Sequence, residues 1–232
     1  IGTLFAQLAN LGTVYATWKF FPFMRNEAKK HHGFLAFLLL VVGAGILLYS
    51  TLYLVFREQI ENGYIEKSPM FLDYYYWVLP IGISYVIFMV LEIYLRSLYK
   101  NVIAVFAYEV VFRLATTLIL ALKWLDFISF DLFVALHSLL YIIPTMILVF
   151  YLKRINEFNV KLSSIQIPKR LKRIVFYFSS FSYINTLGTV WVNSLDVLMI
   201  AQIVGLDGTG VFTTVIFLTI VLQVPYRSIT RV

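Results

Sequence analysis

Glu109 and Arg113 stand four residues apart inside the apolar stretch 102–122. On a helix that spacing puts both on one face, and Thr116 and Thr117 continue it. Two roles fit the pair. It is an intrahelical ion pair turned into a bundle, or an arginine deep in an apolar layer that binds an anionic group while Glu109 holds it. A second constellation is Ser182, Asn185, Thr189, Asn193 and Asp196, spaced 3, 4, 4 and 3. At about 100° per residue these fall within roughly 80° of arc. Such a stripe lines a hydrophilic cavity, or it bonds one helix to the next. His137 lies within the apolar stretch 127–151, as a proton relay or as a packing residue. Glu92 sits near the end of its own stretch, within reach of water. His31 and His32 are adjacent, but no cysteine is near them, and no metal site is read there. The chain has no cysteine, which excludes disulfides and thiolate ligands. It also lacks a phosphate-cradling glycine loop, a nucleophile elbow and a zinc motif. No catalytic residue, metal or cofactor is expected.

The elements that must position these groups follow from composition. The chain is 61% hydrophobic and 13% charged, against roughly 45–50% and 25% in soluble domains. Its mean hydropathy is +0.85. This is the signature of an integral membrane protein. Apolar stretches near the 20-residue length of a span occur at 34–56, 74–95, 102–122, 127–151, 174–204 and 209–226, after a shorter one at 1–18. The hydrophobicity is continuous rather than alternating, so helices are expected, not barrel strands. The expectation is an all-α membrane bundle of about seven transmembrane helices. The 174–204 stretch is long for one span, so it tilts, bends near Gly188 or starts along the interface.

The connecting segments alternate in charge. Lys19, Arg25, Lys29 and Lys30, then Arg96 and Lys100, then seven basic residues in 152–173, then Arg227 and Arg231 fall on one side. The intervening segments are acid-rich, with Glu58, Glu61, Glu66, Asp73, Asp126, Asp131 and Asp207. Strict alternation puts about 15 Lys/Arg on one side and about 3 on the other, which makes the basic side cytoplasmic. The net charge of +7 is therefore read as cytoplasmic loops beside a lipid bilayer, not as a nucleic-acid surface. Tyr74, Tyr75, Tyr76, Trp77 and Trp124 fall at outer ends, and Trp18 and Tyr99 at inner ends, as an aromatic belt. The polar segment 152–173 divides the chain into 1–151, that linker and 174–232.

Several stretches resemble one family. LGTVYATWKFFPFMRNEAKKHHGFL (11–35) is similar to the segment after the second helix of bacterial polysaccharide-unit flippases, where a glycine-containing helix end runs into a Phe-Phe-Pro-like turn. In 193–232, Leu195, Asp196, Met199, Ile200, Gly205, Gly210, Val211, Phe212 and Pro225 resemble the pattern of their seventh and eighth helices. EKSPMFLDYYYWVLP (66–80) is similar to a Bacteroidetes-type form of the family. Lys19 departs from the commoner arginine before the Phe-Phe-Pro turn. The resemblance is to Wzx-like O-antigen and polysaccharide flippases of the superfamily that includes the MATE drug exporters. It implies two helical lobes around a central cavity and an internal piece covering about helices 2–8. It further implies transport of undecaprenyl-pyrophosphate-linked glycans across the bacterial inner membrane for lipopolysaccharide or capsule synthesis, without enzymatic activity. Arg113, with Lys19 or Arg25 at the inner mouth, would then attract the pyrophosphate. Asn185, Asn193 and Asp196, with Thr189 on the same stripe, would face the sugars or a coupling ion, either a proton or sodium. A MATE-type drug antiporter is the alternative on the same fold. A membrane glycan polymerase or acyltransferase is the alternative from another class.

Overall fold

In an apolar layer a backbone must satisfy its own N–H and C=O groups, and long apolar runs do so as helices. The computed structural model describes residues 2–230, with the side chains of all but 27–29, 189–191, 193 and 220–230. Among the described residues it is all-helical, 83% helix with no strand. Four helices there are long and apolar enough to cross a membrane: Lys30–Val55, Tyr75–Ser97, Asn101–Trp124 and Phe130–Arg154.

The helices are α1 (Gly2–Ala9), α2 (Thr13–Met24), α3 (Phe34–Val55), α4 (Arg57–Tyr64), α5 (Pro69–Asp73), α6 (Val78–Ser97), α7 (Asn101–Phe106), α8 (Arg113–Trp124), α9 (Phe130–Ser138), α10 (Ile142–Arg154), α11 (Lys169–Ile203) and α12 (Leu206–Thr230). A π-helical turn, Ala107–Phe112, joins α7 to α8. The stretch 1–18 is not one helix. Gly12 takes φ +73°, which breaks it between α1 and α2. A side chain there would also stand 2.5 Å from the Ser179 carbonyl oxygen. Phe20-Phe21-Pro22, expected as a turn, instead completes α2. The 127–151 stretch forms α9 and α10, separated at 139–141. Pro144 lies in the first turn of α10, where its missing N–H costs nothing. Acid-rich 57–73 carries α4 and α5 rather than open loop. α11 starts just after Pro168 and runs unbroken past Gly188.

The chain divides into two compact units. The first is Ile1–Leu54 with Tyr76–Gly188. Within it α1, α2 and α10 pack on α6. Its core centres on Phe21, Phe34, Leu38, Phe88, Leu91, Tyr94, Leu95, Leu148 and Leu152, all buried. A smaller apolar contact joins Ala16 and Phe20 of α2 to Val175 of α11. The Tyr49 and Tyr183 hydroxyls share a short hydrogen bond. The second unit is Val55–Tyr75 with Thr189–Val232. There the buried Ser68 hydroxyl donates to the Ala201 carbonyl at 2.7 Å. Gly205, at φ +108°, turns α11 into α12 against the Lys67 carbonyl.

α9 begins on a capped turn. Ser129 Oγ accepts the Leu132 N–H at 3.2 Å. Ser129→Ala should cost about 1 kcal/mol. Thermal unfolding of the detergent-solubilised chain checks this, and an unchanged transition would show that the cap is energetically silent.

Candidate functional site

The first unit carries two ion pairs on neighbouring helices, three of whose four charges share a cleft. α6 ends in a tight turn in which Tyr99 takes φ +60° and the Lys100 N–H reaches the Leu95 carbonyl at 2.9 Å. α7 then returns along α6. Glu92 and Arg96 lie near the end of α6, where Arg96 Nη2 donates to Glu92 Oε1 at 2.8 Å. On the returning helix Arg113 pairs with Glu109. Glu92, Arg96 and Glu109 line one cleft of about 230 Å³ with Tyr85, Phe88, Ala104, Val105 and Tyr108.

The π turn positions Glu109, and rings support that turn from one side. Tyr108 and Phe112 stack at 5.3 Å between centroids, and Phe112 lies 4.4 Å from Tyr141. Tyr141 in turn meets Tyr85 at 4.5 Å. Tyr141 follows α9 directly, so the break in the 127–151 stretch supplies this ring. π turns often mark functional positions because they present one residue out of the α-helical register.

The charges are not sealed in protein. The side chains of Arg113 and Glu109 are 67% and 44% exposed, so this pair is not turned into the bundle. Arg113 is the thirteenth residue from the start of α7. At 1.5 Å per residue it lies roughly 18 Å along the helix, near the middle of a layer about 30 Å thick. A charge facing hydrocarbon at that depth costs about 2.5–3.5 kcal/mol on the insertion scale. Water or a polar ligand on that face removes the cost. Each guanidinium group can offer donors to an anionic group, and each is kept in place by a carboxylate one helical turn away.

The other expected residues lie elsewhere. Lys19 Nζ sits 4.2 Å from the Phe178 ring centroid, and the Arg25 guanidinium 4.9 Å from the Tyr99 ring. No described contact joins either to Arg113. His137 stacks on Phe133 one turn earlier at 6.0 Å. Of the α11 stripe, Ser182 is buried and Asn185 exposed in the first unit. Asp196, in the second unit, is exposed and lines a cleft of about 340 Å³ with Met199, Ile200, Ile203, Val204 and Phe212. The side chains of Thr189 and Asn193 lie outside the described residues.

Sequence reasoning missed the partners of two groups. Glu92, expected to reach water, shares the cleft with Glu109; a helical hairpin with a three-residue turn is the signal that indicates this. His31 Nε2 lies 3.1 Å from Glu157 Oε2, a partner that the local sequence does not indicate. That partner is 126 residues away, and only the fold brings it near.

The class defined by these helices and charges is that of helical membrane proteins. No family model, no curated protein and no solved structure matches the chain.

Proposed function

We propose that the chain is part of a flippase that moves lipid-linked glycan units across the bacterial inner membrane. The observation that carries this reading is Arg113, paired with Glu109 deep along an apolar helix, with Arg96 at the inner end of the neighbouring helix. A pyrophosphate needs two or more cationic donors wherever it crosses hydrocarbon, and guanidinium groups present paired donors to such oxygens. In this reading Arg96 meets the pyrophosphate near the inner end of α6, and Arg113 receives it deeper. Glu92 and Glu109 keep both guanidinium groups oriented between transport cycles. The motif resemblance supports the same reading and adds MATE-like two-lobe architecture with about seven helices in this piece. Asn185, Thr189, Asn193 and Asp196 would face the sugars or the coupling ion, a proton or sodium. Undecaprenyl-pyrophosphate is the expected carrier, and surface polysaccharide the expected destination.

Arg113→Ala, in the full-length protein, should lower glycan export at least tenfold while leaving the amount of folded protein unchanged, because about 1.4 kcal/mol of lost phosphate binding is already tenfold. Arg113→Lys should restore only part, since an ammonium lacks the paired donors. Export of surface glycan, normalised to membrane-inserted protein, is the readout. Full export by Arg113→Ala would remove this residue from the site. Unimpaired export together with lost efflux of an organic cation would favour an antiporter.

A further inference from the structure

We propose that a basic pocket at one end of the first unit binds the phosphate of an anionic phospholipid headgroup. The pocket has a volume of about 500 Å³ and is lined by Lys30, Lys153, Asn156, Phe158, Asn159, Lys161 and Ser164. No carboxylate lines it, and among the described residues no acidic side chain pairs with these lysines. The neighbouring Glu157 is directed to His31 instead.

The position of the pocket identifies the ligand. Lys30 opens the apolar segment Lys30–Val55, and Lys153 lies in the last turn of Phe130–Arg154. The same end of two spans is therefore joined here, at the level where hydrocarbon gives way to headgroups. Lysines at this level keep their stems in the apolar layer and their ammonium groups among lipid phosphates. The sequence pattern places this end on the cytoplasmic side, where anionic lipid is the available counter-charge.

The pocket is also built rather than being a loose charge run. Lys30 Nζ donates to the Asn156 carbonyl at 2.6 Å. The Gln166 N–H reaches the His32 carbonyl at 3.0 Å. Residues 30–33 take φ values of 48°, 51°, 54° and 70°, a run of left-handed backbone. Non-glycine residues adopt such a run only when their surroundings hold them. Asn156 is left-handed as well, at φ 58°. Asn159 Oδ1 accepts the Lys161 N–H at 3.3 Å, and Lys153 Nζ is held 5.6 Å from the Phe158 ring centroid. The site does not depend on the glycan reading, because a leaflet phospholipid is its ligand whatever the protein carries.

The full-length protein in nanodiscs of phosphatidylcholine and phosphatidylglycerol tests the proposal. The readout is phosphatidylglycerol retained per protein by native mass spectrometry. Lys153→Gln with Lys161→Gln should lower its apparent affinity about tenfold or more, since each lysine near a charged surface contributes about 1 kcal/mol. Lys67→Gln with Lys123→Gln removes equal charge elsewhere and should leave affinity as it was. Lys153→Arg with Lys161→Arg keeps the charge and should retain binding, which separates lost charge from lost fold. Equal retention by the glutamine pair and the parent would overturn the site. Displacement of the lipid by millimolar inorganic phosphate would overturn the lipid assignment in favour of a soluble anion.

Discussion

Gly45→Val is expected to lower the apparent melting temperature of the detergent-solubilised chain by roughly 6–12 °C, the shift that about 3 kcal/mol produces in a chain of this size. The cause is a backbone-to-backbone approach. A β-carbon at Gly45 would overlap the Ala9 carbonyl oxygen and stand 3.0 Å from its carbon and 3.1 Å from Leu11 Cγ. Ala9 is fully buried, and its carbonyl cannot swing aside as a flexible side chain can. Small residues at helix contacts in membranes serve this close approach, because packing and not water exclusion drives association there. Gly43 supplies the control on the same helix. A β-carbon at Gly43 has nothing within 4 Å, so Gly43→Val should leave stability almost unchanged. Fluorescence-detected unfolding of both variants decides the matter. Equal melting temperatures would mean that α1 and α3 do not meet as described.

The second large effect concerns His31→Ala, which should destabilise the first unit by about 3 kcal/mol. The ring is fully buried, 5.2 Å from Phe21 and 6.5 Å from Tyr94 between centroids. Nδ1 accepts the Asn26 N–H at 3.1 Å. An accepting Nδ1 leaves the proton of neutral imidazole on Nε2, which faces the Glu157 carboxylate at 3.1 Å, close but not aligned as a hydrogen bond. Truncation removes a donor from a largely buried carboxylate and leaves a void between two rings. Adding Glu157→Gln should recover part of the loss, because an amide tolerates the missing partner better than an anion does. A double-mutant cycle reads this coupling directly. Strict additivity of the two substitutions would show that His31 and Glu157 do not interact.

Legibility divides along the range of the interaction. Helices were readable because continuous apolar runs act locally, and α3 and α6 lie where hydropathy puts them. The Glu109–Arg113 pair was readable because a helix brings i and i+4 together whatever surrounds it. Its exposure was not, since an exposed ion pair and one turned inward share one spacing. The break at Gly12 was hidden because a single glycine in an apolar run does not announce a left-handed φ. Glu157 beside His31 was hidden because nothing local links a loop after α2 to one after α10. The stripe on α11 was readable as an arc. What it faces depends on neighbours, and only Ser182, Asn185 and Asp196 have described side chains.

The π turn at Ala107–Phe112 carries one residue more than the α-helix it interrupts. Deleting a single codon there would yield an uninterrupted α-helix through Trp124, because the π turn absorbs its extra residue while the flanking helical faces keep their phase. A deletion between Glu109 and Arg113 would shorten their spacing from four residues to three, although composition, hydropathy and span length would barely change. The geometry of this ion pair can thus be altered in one mutational step. A lineage could alter this feature while every apolar helix still looked intact.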